Sequence, residues 1–157
     1  MRSRIDIDVD APGEVVFDLA RDVAAWPRLL PHYRKVTILS RSGHVVVARM
    51  SAMRPVGPIG IPVGWRARAW SDASDPSDMQ LRFVHTGGPT RGMDVTWHIT
   101  AREAGGTNVA IVHDFVRRLP VIGGELFPRL VDRLFVRPIA GRTLATFKRL
   151  AEARVST

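Results

Sequence analysis

GELFPRLVDRLFVRPIAGRTLATFKRLAEA, residues 124–153, is the one long stretch of this chain whose apolar residues recur at helical spacing. Leu126, Phe127, Leu130, Val131, Leu134 and Phe135 mark the apolar side of a long helix. Pro128 fits a first turn. Pro138 falls inside and should kink or break the helix, because proline lacks the N–H and crowds the preceding turn. The first half of the helix is therefore expected to face the core, and the second half to pack in a different direction. Upstream, the pattern is mostly strand. Residues 3–10 alternate Ile5, Ile7 and Val9 against Arg4, Asp6 and Asp8, as a half-buried strand does. Asp10-Ala11-Pro12 predicts a capped helix over 11–22 with proline in its first turn and Val15, Val16, Leu19 and Val23 as its stripe. Residues 25–31, bracketed by Pro27 and Pro31, read as a second short helix or turn. Strands are predicted at 34–40, 44–52, 63–73, 78–87, 91–102 and 106–116. Arg41-Ser42-Gly43, Asp75-Pro76, Gly87-Gly88-Pro89 and Gly105-Gly106 punctuate them. Consecutive strands joined by short turns make an antiparallel meander. One face of such a sheet must be covered, and the terminal helix is the only large element left to cover it. The expectation is a single α+β domain over residues 1–157: a curved antiparallel sheet of about seven strands on a long C-terminal helix, with one or two short helices after the first strand.

Composition narrows the class. The chain has 157 residues, 45% apolar and 24% charged, with no cysteine. That is ordinary globular composition and excludes a disulfide framework or thiolate chemistry. No apolar run has the length of a bilayer span, and the alternating pattern begins at once, without a signal-peptide pattern. A cytoplasmic protein is expected. The formal net charge is +8, and residues 117–154 hold nine Arg or Lys against three Asp or Glu. These cations are spread out and are not interleaved with aromatic residues, so no specific nucleic acid is expected. Arg129, Arg133 and Arg137 share one flank of the long helix at four-residue spacing. That flank is either solvated, its stems covering apolar surface, or a docking stripe for an anionic carrier protein or anionic membrane surface. Residues 54–62, RPVGPIGIP, read as a proline- and glycine-rich loop. Its apolar residues either tuck Ile59 and Ile61 into the core or form a lid, a membrane contact or a homodimer contact.

Several segments together resemble the START-like or SRPBCC superfamily, the helix-grip fold. They are Ile5–Val9 with Ala11-Pro12, and Val16-Phe17-Asp18-Leu19-Ala20-Arg21-Asp22-Val23 leading into Trp26-Pro27 and Leu30-Pro31-His32-Tyr33. Further on, Gly92-Met93-Asp94-Val95-Thr96-Trp97 and Val109-Ala110-Ile111-Val112-His113-Asp114-Phe115 are similar to late strands of its polyketide cyclase/dehydrase branch. The resemblance covers nearly the whole chain. It implies a hydrophobic cavity between sheet and helix, in proteins that range from aromatase/cyclases to carriers of lipids or quinones, so fold alone leaves function open.

Strand alternation nominates the inward side chains. Met79, Leu81, Phe83 and His85 share one face, as do Arg91, Met93, Val95, Trp97 and Ile99, and Val109, Ile111, His113 and Phe115. Tight turns at Gly87-Gly88 and Gly105-Gly106 would place Leu81, Val95 and His113 in one row, and His85 beside Arg91 at the rim. The predicted ligand-binding wall is Leu81, Phe83, Met93, Val95, Trp97, Ile111 and Phe115, with Leu130 and Leu134 from the helix. Apolar walls with a few polar groups make a ligand pocket; a filled core with satisfied histidines is the other reading. Cyclising or dehydrating a polyketide needs a base next to a carbonyl, a donor for the enolate oxygen and an acid for the leaving hydroxyl. His113 or His85 suits the acid/base steps, and Arg91 or Tyr33 the oxygen. Arg49 and Arg66 are further donors of undecided facing, Arg66 opposite Trp65. Asp94 and Asp114 should face outward. His32 ends the short helix, either near the pocket mouth or on the surface. The five histidines lack metal-site spacing, and no cofactor or metal is expected. Phosphate-loop, dinucleotide and Gly-x-Ser-x-Gly motifs are absent. Two functions stand: a polyketide cyclase/dehydratase (aromatase)-like enzyme acting on a ring-bearing hydrophobic molecule, or a non-catalytic lipid or quinone carrier.

Overall fold

The computed structural model describes residues 1–115 and 126–157. The expected last residue of the final strand, 116, and the expected helix start at 124–125 lie outside the described residues. The chain runs β1 (Arg2–Val9), α1 (Gly13–Arg21), a 3-10 turn (Val23–Ala25), α2 (Trp26–Leu29), then β2 (Tyr33–Ser42), β3 (Val45–Val56), β4 (Ile59–Asp72), β5 (Asp78–Gly87), β6 (Met93–Ala101) and β7 (Thr107–Phe115). The C-terminal helix follows as α3 (Leu126–Val131), a π turn (Asp132–Val136) and α4 (Arg137–Val155). The seven strands form one antiparallel sheet in the order β1-β7-β6-β5-β4-β3-β2. Each neighbour is the next strand in sequence except β1, which closes onto β7 and sends α1 and α2 across to the far edge. The predicted α+β helix-grip architecture is the one observed.

The inner face of the sheet and the helix enclose the core, with Val9, Val16, Leu30, Met50, Leu81, Ile99, Val109, Ile111, Phe115, Leu144 and Phe147 almost fully buried. Burying side chains of this size contributes roughly 1.5–3 kcal/mol each. Phe115 packs against Phe127, ring centroids 6.3 Å apart, and so ties the last strand to the start of the helix.

Pro138 does not break the helix. The Arg137 N–H bonds to the Asp132 carbonyl, five residues back, which opens the turn around the position where a proline ring would meet a carbonyl. The inserted residue rotates the buried stripe. Burial steps from Val131 to Val136, then to Ala140, Thr143, Leu144, Phe147 and Ala151. Leu126 and Leu130 are left exposed, which corrects the expectation that Leu130 faces inward.

Three local expectations change. Pro12 sits at the N-cap of α1, with no side-chain cap. Asp10 instead offers its amide to the Glu152 carboxylate at 2.9 Å and its carboxylate to Arg102 at 3.4 Å. The 54–62 segment is a hairpin, not a loop. Arg54 pairs with Ile61, Pro55 with Gly60 and Val56 with Ile59, around a turn that begins with Gly57 at φ 58°. Its side chains do not tuck into the core: Val56, Ile59 and Ile61 are 40%, 68% and 42% exposed. Finally, β5 pairs two residues further along β6 than a tight turn would allow, giving Leu81–Trp97 and Phe83–Val95. A shift of two keeps every side chain on its face, so inward and outward assignments survive. The extra length lies in the connection at 88–92. There Gly88 has φ +88°, and a Cβ on it would lie 2.7 Å from the Gly64 carbonyl oxygen; only glycine fits.

Replacing Val56, Ile59 and Ile61 together by serine is expected to move Tm by only a few degrees, since exposed substitutions rarely exceed about 0.5 kcal/mol each. Thermal unfolding followed by circular dichroism checks this, and a collapse of Tm would place the hairpin in the core. No helix among the described residues is long and apolar enough to cross a membrane.

Candidate functional site

A cavity lies between the inner face of β3–β7 and the helix, lined by Tyr33, Trp65, Phe83, Val95, Trp97 and Ile139 among others. Its volume is about 80 Å³, below the usual range for small-ligand pockets, ~300–1,000 Å³. The space is a narrow slot between side chains.

Aromatic rings shape that slot. Trp26 is anchored by its Nε1–H to the Ala20 carbonyl at 2.9 Å. Its ring meets Tyr33 at 5.1 Å, Phe83 at 5.7 Å, Trp97 at 5.9 Å and Phe147 at 6.0 Å. Trp65 continues the wall, edge-on to Tyr33 and stacked on His85 with centroids 5.9 Å apart. Ring faces and edges in contact at these distances are held rigidly by their packing.

Polar groups enter the slot at two places. At the first, Thr143 on α4 donates its hydroxyl to the Ile139 carbonyl at 2.8 Å and lies 2.8 Å from His32 Nε2. With that proton committed, the hydroxyl accepts from His32, which fixes the proton on Nε2. Burial pushes the phenol of nearby Tyr33 well above its ordinary range, Thr143 opposing the shift. Burial, and then the Arg142 guanidinium, push His32 down to about 4. His32 is thus a buried partner of the helix and not a surface turn.

At the second place, His85 Nδ1 lies 2.6 Å from Thr90 Oγ1. Burial, and then the proximity of His113, lower its pKa to about 3. His113 is lowered to about 4, by burial first; the Asp132 carboxylate opposes the shift and Arg137 reinforces it. Asp132 sits on the π turn, ion-paired to Arg137 at 2.9 Å. Ser3 pairs with His113 across β1 and β7, and Val95 pairs with it from β6. Ser3 Oγ, His113 Nδ1 and Asp132 Oδ1 are all buried without a hydrogen-bond partner among the described residues. Unsatisfied buried polar atoms cost about 1–3 kcal/mol each, and clusters of them require an explanation.

The sequence-predicted residues divide cleanly. His85, His113, Tyr33, Phe83, Met93, Val95, Trp97 and Ile111 line the cavity. Leu81 and Phe115 face inward but lie in the core beyond its lining. Leu130 and Leu134 are not in the lining; Phe135, Val136, Ile139, Ala140 and Thr143 stand there in their place, because of the π turn. Arg91 is exposed in the 88–92 turn, its amide bonded to the Gly88 carbonyl. Thr90, not Arg91, meets His85. Asp94 and Asp114 are exposed and face each other on the outer side of β6 and β7. Among the described residues no three His, Asp or Glu side chains converge as a metal site would require.

Residues 9–137 match the polyketide cyclase/dehydrase and lipid transport family. This chain belongs to that family. A candidate polyketide cyclase of Streptomyces halstedii is 34% identical over 98 residues, covering 59% of this chain and 81% of that protein. Another, of Streptomyces cyaneus, is 27% identical over 113 residues, or 72% of this chain and 71% of that one. Among solved structures, the Zhui aromatase/cyclase of Streptomyces sp. R1128 superposes with a TM-score of 0.76 at 21% identity, over 99% of this chain and 95% of that one. A STAR-related lipid transfer protein of Xanthomonas axonopodis gives 0.62 at 13% identity, over 95% and 85%. At such identities the structural likeness establishes the fold. Membership of the polyketide cyclase/dehydrase and lipid transport family leaves the occupant of the cavity open.

Trp26, Trp65, Thr90 and Thr143 were not singled out from the sequence. Trp26 opens a short helix directly before Pro27, and Thr143 sits on a helical face whose phase depends on the π turn. For Trp65 a signal existed: it alternates with Val63 and Ala67, opposite Arg66 and Arg68.

Proposed function

We propose that the slot binds a flat, ring-forming hydrophobic molecule and that the protein is a polyketide cyclase/dehydratase of the aromatase type. The observation that carries this reading is His113 Nδ1, without a hydrogen-bond partner among the described residues and buried at the edge of an aromatic slot with the Asp132 carboxylate behind it. Neutral at pH 7, the His113 imidazole takes a proton from a carbon between two carbonyls. Asp132 stabilises the imidazolium so formed, as its opposition to the downward shift implies. The enolate attacks a second carbonyl of the same chain and closes a ring. His113 returns that proton to the new alkoxide, giving a ring hydroxyl; it then takes the second proton of the attacking carbon and passes it to the hydroxyl, so that the C–O bond breaks, a ring C=C forms and water leaves. Tyr33 stays protonated because burial raises its phenol, so it can donate to the enolate oxygen. His85, held by Thr90 and more strongly depressed, stays neutral and orients the ligand. Arg91 has no part, being exposed in its turn.

The test is incubation of the protein with a reactive poly-β-ketone thioester, with products separated by liquid chromatography and mass spectrometry. A cyclised product lighter by one water, formed at least 100-fold faster than without protein, is expected. Slow spontaneous products alone would remove the enzymatic reading. The second reading, a lipid or quinone carrier without turnover, is favoured by one observation: all three buried histidines are neutral at pH 7, as suits a passive apolar site. Native mass spectrometry showing a tightly held lipid, together with no turnover, would establish it.

A further inference from the structure

The sheet has a second concavity, on its other side. A groove of about 470 Å³ is lined by Lys35, Thr37, Arg49, Ser51, Arg66 and the glycines Gly64, Gly87 and Gly88, together with Met50 and Trp65. Its polar residues fall in two cross-strand rows: Thr37, Arg49, Arg66 and Gly87 in one, Lys35, Ser51 and Gly64 in the other. Because side chains alternate along a strand, Arg49 and Arg66 face away from Met50 and Trp65, which line the ligand slot. One layer of sheet separates the groove from the slot.

Among the described residues the charges of this groove are uncompensated. Arg49 and Arg66 are directly opposed across β3 and β4, an arrangement that costs stability unless something neutralises it. No ion pair to Lys35, Arg49 or Arg66 occurs among the described residues. The outward carboxylates Asp94 and Asp114 lie on β6 and β7, at the other half of the sheet. Arg66 is nevertheless held in place: its Nε donates to Thr86 Oγ1 at 3.1 Å and its Nη2 to the Thr86 carbonyl at 3.3 Å. Gly64, Gly87 and Gly88 put no side chain on the groove floor. The Arg49 guanidinium, the edge of Arg66 not engaged by Thr86, an ammonium and two hydroxyls are the donor set that suits a tetrahedral anion of more than one charge.

We propose that this groove binds a phosphate ester. Its volume exceeds that of a bare phosphate and leaves room for an organic part the size of a glycerol or a sugar. A soluble phosphate ester and a phospholipid headgroup share this chemistry, and the test separates them. Amide NMR shifts and Trp65 fluorescence of the whole chain are followed on titration with glycerol 3-phosphate. Sedimentation is measured with phosphatidylglycerol vesicles and with phosphatidylcholine vesicles. Saturable shifts at Thr37, Arg49, Ser51 and Arg66 are expected with glycerol 3-phosphate, with binding to phosphatidylglycerol if the headgroup is the natural source. The double variant Lys35→Gln, Arg49→Gln should weaken binding at least tenfold with Tm unchanged or raised, because repulsion is relieved. Arg154→Gln, a charge change at the far end of α4, should leave binding unchanged. Equal weakening by both variants would reduce the effect to net charge and overturn the site, as would shifts confined to other residues or none at all. None of these readouts involves ring closure, so the result is independent of the cyclase reading.

Discussion

His113→Leu is expected to abolish ring closure, by at least 100-fold in turnover, while leaving the fold as stable as before or more so. The two halves come from the same observation. His113 is buried, neutral and, among the described residues, without a partner at Nδ1. A buried polar atom left unpaired costs about 1–3 kcal/mol, and leucine of similar volume removes that cost among Val95, Phe83 and Ile111. In a domain of this size, 1 kcal/mol corresponds to roughly 2–4 °C in Tm. A residue kept at such an expense acts when a ligand supplies the missing partner, which is the usual trade between stability and function. General acid/base groups contribute about 10²–10⁴-fold, hence the expected loss. The measurement pairs a melting curve with the poly-β-ketone assay. Turnover equal to wild type would remove His113 from the chemistry. A loss of several kcal/mol in stability would instead mark it as a hydrogen-bonded core residue.

Acid should unfold this protein earlier than carboxylates alone would dictate. His85 and His113 have folded pKa values of about 3 and about 4, against about 6.5 in an unfolded chain. Each is depressed by burial, so each is neutral when folded and takes up a proton on unfolding. Their contribution is complete above pH 6.5 and is lost as pH falls toward 4. Two protons give a slope of about 3 kcal/mol per pH unit around pH 5. His32, lowered to about 4, acts in the same direction. A domain holding about 5–15 kcal/mol cannot absorb that for long, and a cooperative transition between pH 4 and 5.5 is expected. The depressed carboxylates Asp72, Asp75 and Glu152 lose their contribution only at lower pH, through their folded values. Urea unfolding at a series of pH values measures the slope directly. Stability that stays flat from pH 7 to 4.5 would contradict the burial of these imidazoles. His113→Leu should reduce the slope by about one proton.

The fold was legible because its determinants are periodic. The alternation of Ile5, Ile7 and Val9, of Met93, Val95, Trp97 and Ile99, and of Val109, Ile111 and His113 names the buried face without knowledge of neighbours. A terminal helix is the only element available to cover it. Even the β5–β6 error was harmless to facing, since a shift of two preserves the side-chain phase. The candidate site was legible to the same extent. His85, His113, Tyr33, Phe83, Met93, Val95, Trp97 and Ile111 follow from strand phase and from residue chemistry.

The remainder depended on geometry that no local pattern encodes. Whether RPVGPIGIP at 54–62 is loop or hairpin turns on β3 and β4 continuing to pair beyond the sheet, which prolines in an edge hairpin tolerate. Which helical residues face the slot turns on how Pro138 is accommodated: a kink, a break and a π turn are equally open to a proline, and only packing against the sheet selects the last. Phe135, Ile139 and Thr143 for Leu130 and Leu134 follow from that selection, and Thr90 for Arg91 follows from the longer connection at 88–92. The sequence by itself determined the layers and the inward face, because burial imposes periods of 2 and 3.6 on the chain. Tertiary structure alone decided how far those periods drift at a turn or a proline. It therefore also decided that Ser3 Oγ, His113 Nδ1 and Asp132 Oδ1 lie buried without a hydrogen-bond partner among the described residues.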